Sequence, residues 1–536
     1  MRHGGQLAIL LVVSALANAA GAEEAADIRE RLDAAVGGAS EGGLAEAEDD
    51  AGFLRRLWLD VAGHVPPVLV VRDFLDDRDP KKREKAAAER LGSDDFAAQW
   101  GRVFATWLTG ERPIARDGYD GRVLHTYLRD GLRKGESYGR LVRELIAGGG
   151  TSDASGPANF LLRYDVDAPR LAGAVGKNIL GVTIQCAQCH DHPFARWRQD
   201  DFWALAASFT RLKRMEGDEN LKAVVESKRG ELTRPDPNAP PASNGDDIDD
   251  YDDADAPPPK QVVVRPRRLD GKALASNGRR QALADWVVAR DNSDFARNLV
   301  NRVWGELFGR TLVANLDKVD PGSKAAGVLI LLADDFAAHD HDVKRLLALI
   351  LVSKSYGQAS TAKAKPAWTR PGARPLSVDQ LHASIAQATG YEGPAVEEKE
   401  DEDAPEAEDE EAEDEPLKMK GGDAHEENDE EEMAAGDRPV ELLKERGLSL
   451  QRALVMLNGE YLKEATRSAV RVIRAAHGSK SGPGPLEWAF LGTLSRRPTV
   501  EERAILEPLL AKGAGARGVE DVFWVLLNSA EFQTNH

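Results

Sequence analysis

The stretch LAGAVGKNILGVTIQCAQCHDHPFARWRQDDFWALAASF at residues 171–209 joins two helical patterns through the motif CAQCH. Apolar residues recur at intervals of three and four in the segments 169–180 and 200–214, which predicts a helix in each. The segment 261–264 is the one that reads as a strand. The same helical spacing predicts further helices at 53–61, 81–91, 94–107, 122–132, 138–147, 277–290, 294–308, 325–339, 342–353, 440–457, 461–476, 486–494, 500–511 and 519–529. The predicted fold is therefore mainly α, built from many helices.

The two cysteines of the motif are the only ones among 536 residues, and a histidine follows them directly. C-x-x-C-H is the attachment signature of c-type haem, in which each thiol forms a thioether with the porphyrin and the histidine ligates the iron. We expect one covalent haem c, attached through Cys186 and Cys189, with His190 as an axial metal ligand. The sixth ligand stays open: Met215, Met456, a distant histidine and a five-coordinate iron are all compatible with the sequence.

Three other interpretations of the motif also stay open. The thiols could form a redox-active disulfide, although the βαβ context of such sites is missing, or they could form a structural clasp. They could also bind zinc together with His190 and His192, although such closely spaced ligands rarely complete a tetrahedron. We expect His192 either to orient His190 by a hydrogen bond or to have a structural role before Pro193.

The aromatic residues that follow the motif have two interpretations. They could form an apolar wall for a macrocycle, or they could be core residues of a helix. These residues are Phe194, Trp197, Phe202, Trp203 and Phe209.

The first 22 residues have the plan of a secretory signal peptide. A short basic start precedes an apolar run at 7–16, and small residues then offer cleavage after Ala19 or Ala22. The run is too short to span a bilayer, which takes about 20 residues. We expect a secreted, periplasmic or cell-envelope protein without an integral membrane segment after cleavage.

The formal net charge of −20 is concentrated in two tracts. Residues 397–437 carry −19 and residues 246–255 carry −7, so the rest of the chain carries +6. Both tracts combine like charge with low hydrophobicity, which predicts disordered segments at 233–261 and 393–437. No basic stripe for nucleic acid is present, so no nucleic-acid partner is expected.

Each of two polar clusters on predicted helices allows a structural and a functional interpretation. Asn298, Asn301 and Arg302 could line a pocket, but a buried hydrogen-bond network between helices is the favoured interpretation. A second cluster could supply metal ligands, but a solvated helix end is favoured there. Its members are Asp334, Asp335, His339 and His341.

Several strings of the chain resemble two known domain families. FLRRLWLDVAGHVPP at 53–67 and GVTIQCAQCHDHPFARWRQDDFWALAASF at 181–209 resemble the planctomycete secreted cytochrome-like domain. RRQALADWVVARDNSDFARNLVNRVWGELFGRTLV at 279–313 and LGTLSRRPTVEER at 491–503 resemble its C-terminal partner, the planctomycete secreted domain. Both families are of unknown function. The resemblance implies an exported, cytochrome-like protein.

Together these features predict a two-domain protein. Residues 1–22 are the signal peptide, 23–232 the cytochrome-like helical domain, 233–261 an Asp/Pro-rich linker, 262–392 and 438–536 the two parts of the second helical domain, and 393–437 an acidic insertion. The expected function is electron transfer or oxidoreductase chemistry with an external substrate or redox partner. The alternative is a non-catalytic envelope or interaction protein in which CAQCH is a disulfide or metal clasp.

Overall fold

The computed structural model describes residues 4–116, 118–217, 221–235, 261–275, 277–360, 366–391, 393, 460–476, 483–512 and 516–536. The chain forms two compact units. The first comprises Met1–Gly63, Phe74–Ala373 and His536, and the second comprises His64–Asp73 and Arg374–Asn535. The predicted mainly helical fold is confirmed, because helices dominate both units.

The first unit is a set of packed helices with short connections. The helix Val68–Asp76 crosses the boundary between the units. The helices of the first unit are Gly4–Ala39, Asp50–Val61, Lys82–Leu91, Asp94–Thr109, Gly121–Lys134, Tyr138–Ala147, Gly156–Leu162, Ala168–Ala174, Gln199–Ala206, Arg279–Val287, Ser293–Phe308, Lys324–Ala338 and Val343–Leu351, with 3-10 turns at Gln185–Gln188, Leu316–Lys318 and Ala367–Thr369.

Side-chain caps fix where many of these helices begin. Ser93 accepts a hydrogen bond from the amide of Phe96 at 3.2 Å, and Asp342 accepts bonds from the amides of Lys344 and Arg345. Each cap satisfies an amide that has no partner within its helix, which stabilises the helix by about 1 kcal/mol.

An aromatic cluster forms much of the core of the first unit. Trp100, Phe104 and Trp107 lie on one helix, with centroid separations of 5.6 to 6.2 Å. Tyr138 lies 4.8 Å from Phe104 and stacks on Phe295 at 5.7 Å. Rings at such distances add about 0.5–1.5 kcal/mol per pair to the stabilisation from burial. The cluster therefore ties three separate helices into one core.

Small antiparallel sheets lie among the helices. The strand Lys222–Glu226 pairs with Gly150–Thr151 on one side and with Leu212–Glu216 on the other. The predicted strand at Gln261–Val264 is confirmed, and it pairs with Leu232–Pro235. A further pair is formed by Ala115–Arg116 and Tyr119–Asp120.

Two helix predictions need correction. The helix predicted at 200–214 ends at Ala206, because the chain turns and enters the strand Leu212–Glu216. That strand buries Leu212 and pairs with a segment rich in β-branched valine. The helix predicted at 169–180 is α-helical only to Ala174 and continues as the π-helix Val175–Leu180. The expectation of one strand in the chain is also wrong.

The second unit consists of helices packed on one another and a two-stranded ribbon formed by Arg374–Pro375 and Thr534–Asn535. Ser377 and Gln380 form a capping box at the start of its first helix. Arg496 donates to both Glu502 and Glu531 at 2.6–2.8 Å, which joins a helix start to the C-terminal segment. Its helices are Val378–Thr389, Glu460–Ala476, Pro485–Leu494, Val500–Lys512, Ala516–Leu527 and Ala530–Gln533.

Some predicted segments lie outside the described residues. These are most of the linker 233–261, the acidic insertion 393–437 apart from Gly393, and the helix 440–457. The residues that flank the first acidic tract both belong to the first unit. The domain boundaries drawn from the sequence stay a prediction. No helix in the described part of the chain is long and apolar enough to cross a membrane.

Candidate haem-attachment site

A glycine in the helix before the motif allows the chain that leads into CAQCH to pack closely against that helix. The π-helix Val175–Leu180 ends at Gly181, whose φ of 71° favours glycine. A Cβ on Gly176 would lie 2.5 Å from Cγ2 of Ile184, so the missing side chain makes room for the chain that leads into the motif. Ile184 is fully buried in that position.

The motif itself folds as the 3-10 turn Gln185–Gln188. Because this helix has three residues per turn, side chains three positions apart lie on the same side. Ala187 is fully buried, whereas Cys186 and Cys189 are exposed and free. The turn therefore holds Ala187 in the core, while both cysteines are accessible to solvent.

His190 is exposed and has a defined hydrogen bond. Its Nδ1 lies 2.8 Å from the carbonyl oxygen of Asp191. A carbonyl can only accept, so Nδ1 carries the proton and the lone pair of the neutral ring is on Nε2. Metal-bound histidines usually donate their other N–H to such an oxygen. Two exposed thiols for attachment to the porphyrin and one imidazole for the iron are the groups that a covalent haem requires, so the residues fit that group.

His192 has the predicted structural role. Its Nδ1 accepts hydrogen bonds from the amides of Phe194 at 3.1 Å and Ala195 at 3.0 Å. Its own amide donates to the carbonyl oxygen of Trp197 at 2.8 Å. His192 thus closes the turn after the motif, and the turn runs through Pro193 as expected.

A residue far along the chain holds both ends of this loop. One carboxylate oxygen of Asp317 accepts from the amide of Thr183 at 2.7 Å and from its hydroxyl. The other accepts from Nε1 of Trp197 at 2.8 Å. The sequence interpretation missed Asp317. The spacing of Asn315 and Asp317 indicates a local turn, which forms, but gives no sign of its target more than a hundred residues away.

The helix that follows the loop satisfies the carbonyl groups of the motif. The side-chain amide of Gln199 donates to the carbonyl oxygen of Cys189 at 2.9 Å, and Nε1 of Trp203 donates to that of Gln188 at 3.0 Å. The amide of Gln199 also donates to the carboxylate of Asp191 at 2.8 Å. The backbone of the motif is therefore fixed although its reactive side chains face solvent.

The aromatic residues after the motif are mostly core residues. Trp197, Phe202 and Phe209 are buried, with 2%, 0% and 0% of their surface exposed. Trp203 is half-buried, whereas Phe194 is 77% exposed, with the ammonium group of Lys318 5.5 Å from its ring centroid. An apolar wall made from all these rings is not what the structure shows. Phe194 is the most exposed aromatic residue of this set, and a bound macrocycle could contact its ring.

A half-buried carboxyl lies close to the loop. Burial raises the pKa of Asp294, and the positive charges of Arg196 and Arg297 oppose this effect while Asp317 adds to it. Arg196 lies 4.0 Å from that carboxylate and stacks over Trp197 at 4.5 Å. The loop thus has charges of both signs at its edge.

The favoured interpretation of Asn298, Asn301 and Arg302 is confirmed. The side-chain amide of Asn298 donates to the carbonyl oxygens of Asn178 and Ile179, both at 2.9 Å. Arg302 donates to Asn298 at 3.2 Å. Asn301 forms two bonds with the backbone of Val313. The cluster is a network that fixes the π-helix leading to the motif.

The second polar cluster needs correction. Asp334 is exposed as predicted, but Asp335 is buried and forms a two-pronged ion pair with Arg345 at 2.7 and 3.0 Å. His341 is also buried, at 3% exposure. The solvated helix end is therefore wrong for these two residues, because an arginine from the next helix and the aromatic core cover them. Oxygen and nitrogen atoms of Glu24, Asp335 and His339 lie within 4.8 Å of one another.

The structure gives the surroundings of several candidate sixth ligands. Nε2 of His125 lies 3.0 Å from the carbonyl oxygen of Ala98, and His339 contacts Glu24. Met215 is 56% exposed on its strand. Met456 and His477 lie outside the described residues. The sixth ligand therefore stays a prediction.

Two family matches cover most of the chain. The family PSCyt2, described as a protein of unknown function (DUF1549), matches residues 40–214. The family PSD1, described as a protein of unknown function (DUF1553), matches residues 279–510. The chain joins a PSCyt2 domain to a PSD1 domain. The resemblance drawn from the sequence is thus confirmed. No curated protein and no solved structure matches the chain.

The matches divide the site in an unexpected way. The CAQCH motif and its loop lie inside the PSCyt2 match, whereas Asp317 lies inside the PSD1 match. Asn298, which fixes the π-helix, also belongs to PSD1. Residues of both families therefore build the surroundings of the motif, and all of them lie in the first compact unit.

Proposed function

We propose that this protein is an exported c-type haem protein that transfers electrons, or carries out oxidoreductase chemistry, with an extracytoplasmic partner or substrate. One haem c would be held by thioethers to Cys186 and Cys189, with Nε2 of His190 as an axial ligand. When bound, the haem supplies a one-electron redox centre. The observation that carries the proposal is that Cys186, Cys189 and His190 are all exposed on a short segment whose backbone carbonyls are held by hydrogen bonds.

The chain's own residues have separate parts in this function. The carbonyl of Asp191 fixes the proton of His190 on Nδ1, so that Nε2 is available to a metal. Gln199 and Trp203 bind the carbonyl oxygens of Cys189 and Gln188, so the backbone that carries the thiols is fixed. The exposure of the site suits a partner or substrate that approaches from solvent.

The zinc interpretation has less support from the geometry. Nδ1 of His192 accepts two hydrogen bonds within the loop, so its ring proton is on Nε2 and neither nitrogen offers a free lone pair to zinc. Among the residues that the structure describes, the one cluster of three metal-binding atoms within 4.8 Å lies at Glu24, Asp335 and His339. A zinc site that used His192 would have to break the hydrogen bonds that close this loop.

A structural disulfide also has less support. A bridge from Cys186 to Cys189 would close a very short loop, and such loops constrain the unfolded chain little. The loop is already closed by hydrogen bonds to Asp317. The clasp interpretation, with a non-catalytic envelope protein, is therefore kept as the outcome that the experiment must exclude.

Export supports the haem proposal through its chemistry. The signal-peptide pattern predicts export from the cytoplasm, and haem attachment after export needs reduced, accessible thiols. In the structure both thiols are free. We expect the mature protein to begin at Ala20 or Glu23, which N-terminal sequencing of secreted material checks.

The test is to express the full chain in a host with cytochrome c maturation machinery. The pyridine haemochrome spectrum of the purified protein should be that of a haem with two thioether bonds. Cys186→Ser and Cys189→Ser should each shift this spectrum towards that of free haem, since one vinyl group is kept. The double variant should carry no covalent haem.

A matched pair of histidine variants separates ligation from loop structure. His190→Ala should change the spectrum of the bound haem, and added imidazole should restore it. His192→Ala loses two hydrogen bonds of the loop but should keep the ligand spectrum. A colourless wild-type protein whose thiols are free or bridged would refute the proposal in favour of the clasp.

A further inference from the structure

We propose that Asp317 of the PSD1 domain is a positioning residue of the haem-attachment site in the PSCyt2 domain. This inference rests on the proposed function and deepens it, because it makes the site a product of both domains. The carboxylate of Asp317 binds Thr183 and Trp197, which lie on either side of the thiols and the imidazole in the sequence. It acts on the loop that carries them.

The carboxylate of Asp317 binds both ends of the loop that contains the motif. The amide of Thr183 and Nε1 of Trp197 donate to different oxygens of the same carboxylate, at 2.7 and 2.8 Å. Cys186, Cys189 and His190 all lie between these two residues in the sequence. Every group needed for attachment is therefore inside a loop whose two ends meet at Asp317.

Neighbouring residues strengthen this anchor. The side chain of Asn315 accepts from the amide of Asp317 at 2.8 Å, which holds the carboxylate in its turn. A Cβ on Gly181 would lie 2.5 Å from Cδ1 of Leu316, so the PSD1 turn packs directly on the start of the loop. Lys318 lies over the ring of Phe194, on the other side of the motif. Three consecutive PSD1 residues thus contact the loop.

A carboxylate suits this role for a physical reason. It accepts several hydrogen bonds at once, and bonds to an ionised acceptor are about twice as strong as neutral ones. Closing a loop costs conformational entropy. Because Asp317 holds both ends of the loop in the folded chain, the loop that carries the thiols stays closed. An amide side chain cannot replace it, because its NH2 group would face one of the donors.

The charge has a second consequence. A negative charge close to a redox centre stabilises the oxidised, more positive form more than the reduced form. Removing the charge of Asp317 should therefore raise the reduction potential of the bound haem. A purely structural contact elsewhere in the fold would not have this effect.

The experiment compares the full-length wild type with Asp317→Asn, Thr183→Val and the control Asp334→Asn. The control removes the same charge from an exposed helix position. Hydrogen exchange followed by mass spectrometry reports on the loop, and covalent haem per chain and reduction potential report on the site. Thr183→Val removes the hydroxyl bond and keeps the amide bond, so it is a mild variant that should fold.

We expect exchange in peptides covering 181–198 to rise about tenfold in Asp317→Asn, the factor that corresponds to about 1.4 kcal/mol. Haem content should fall and the potential of the remaining haem should rise. Thr183→Val should show a smaller rise in exchange and no change of potential. Asp334→Asn should match the wild type in all three measurements.

Two results overturn the inference. One is an Asp317→Asn protein with the exchange, haem content and potential of the control. The other is a rise in exchange spread evenly over the first unit, which would make Asp317 a general stability residue. If the wild type itself carries no haem, the proposed function fails, and the exchange data alone still decide whether Asp317 holds the loop.

Discussion

Acidification from about pH 7 to about pH 5 should weaken the first unit by about 2 kcal/mol through His341 alone. Its side chain is 3% exposed and lies between Phe295 and Phe336, with centroids 4.9 and 5.1 Å away. Its Nε2 has no hydrogen-bond partner among the described residues. Burial lowers the pKa of His341 from 6.5 to about 4. The negative charge of Asp340 raises this pKa in part, and the positive charge of Arg290 lowers it slightly further.

The magnitude follows from this difference. The unfolded chain binds a proton at His341 near pH 6.5, but the folded chain does so only near pH 4. Stability is therefore lost as the pH falls through this window, and the full loss below it is about 3.4 kcal/mol, at 1.36 kcal/mol per pKa unit. About 2 kcal/mol of that loss falls between pH 7 and pH 5.

The assay is urea unfolding of wild type and His341→Asn, followed by tryptophan fluorescence at both pH values. Asparagine does not titrate, and it tolerates the positive φ of 57° at this position. The variant loses ring packing at every pH, so its free energy of unfolding is compared between pH values and not with wild type at one pH. The carboxyl groups of both proteins titrate alike. Equal pH dependence in the two proteins would refute the assignment to His341.

Four further substitutions test the account of the fold and the loop. Gly181→Ala adds a Cβ at positive φ against Leu316, and should lower thermal stability by about 1–3 kcal/mol and reduce haem content. Asn298→Ala frees two backbone carbonyls, and a loss of about 1–3 kcal/mol is expected in chemical denaturation. Ser93→Ala removes a helix cap and should cost about 1 kcal/mol in the same assay. Phe194→Ala should change the free energy of unfolding by no more than about 0.5 kcal/mol, as for other surface substitutions, since the ring is exposed. A large loss of stability would mean that the ring is covered.

Local sequence patterns predicted the helices well because each helix carries its own signals. Apolar spacing and the Ser93 cap define a helix within a window of a dozen residues. The same reasoning failed at 207–214, where the chain leaves the helix and the strand Leu212–Glu216 pairs with Lys222–Glu226. Pairing between distant segments leaves little trace in a short window.

The reactive residues of the candidate site could be predicted from the sequence, but the distant residue that holds their loop could not. The spacing of Cys186, Cys189 and His190 is a local signal, and so is the turn at His192. Asp317 lies more than a hundred residues away and carries no mark of its target. The burial of Asp335 and His341 was missed for a similar reason, because the groups that cover them come from other helices.

The central claim is that a haem is bonded to both thiols of CAQCH. The most direct measurement is the mass of the tryptic peptide 178–196 from wild-type protein matured in the periplasm. We predict one peptide that carries a single haem, with thioether bonds to Cys186 and Cys189. A peptide of unmodified mass, with its thiols free or joined to each other, would contradict the account.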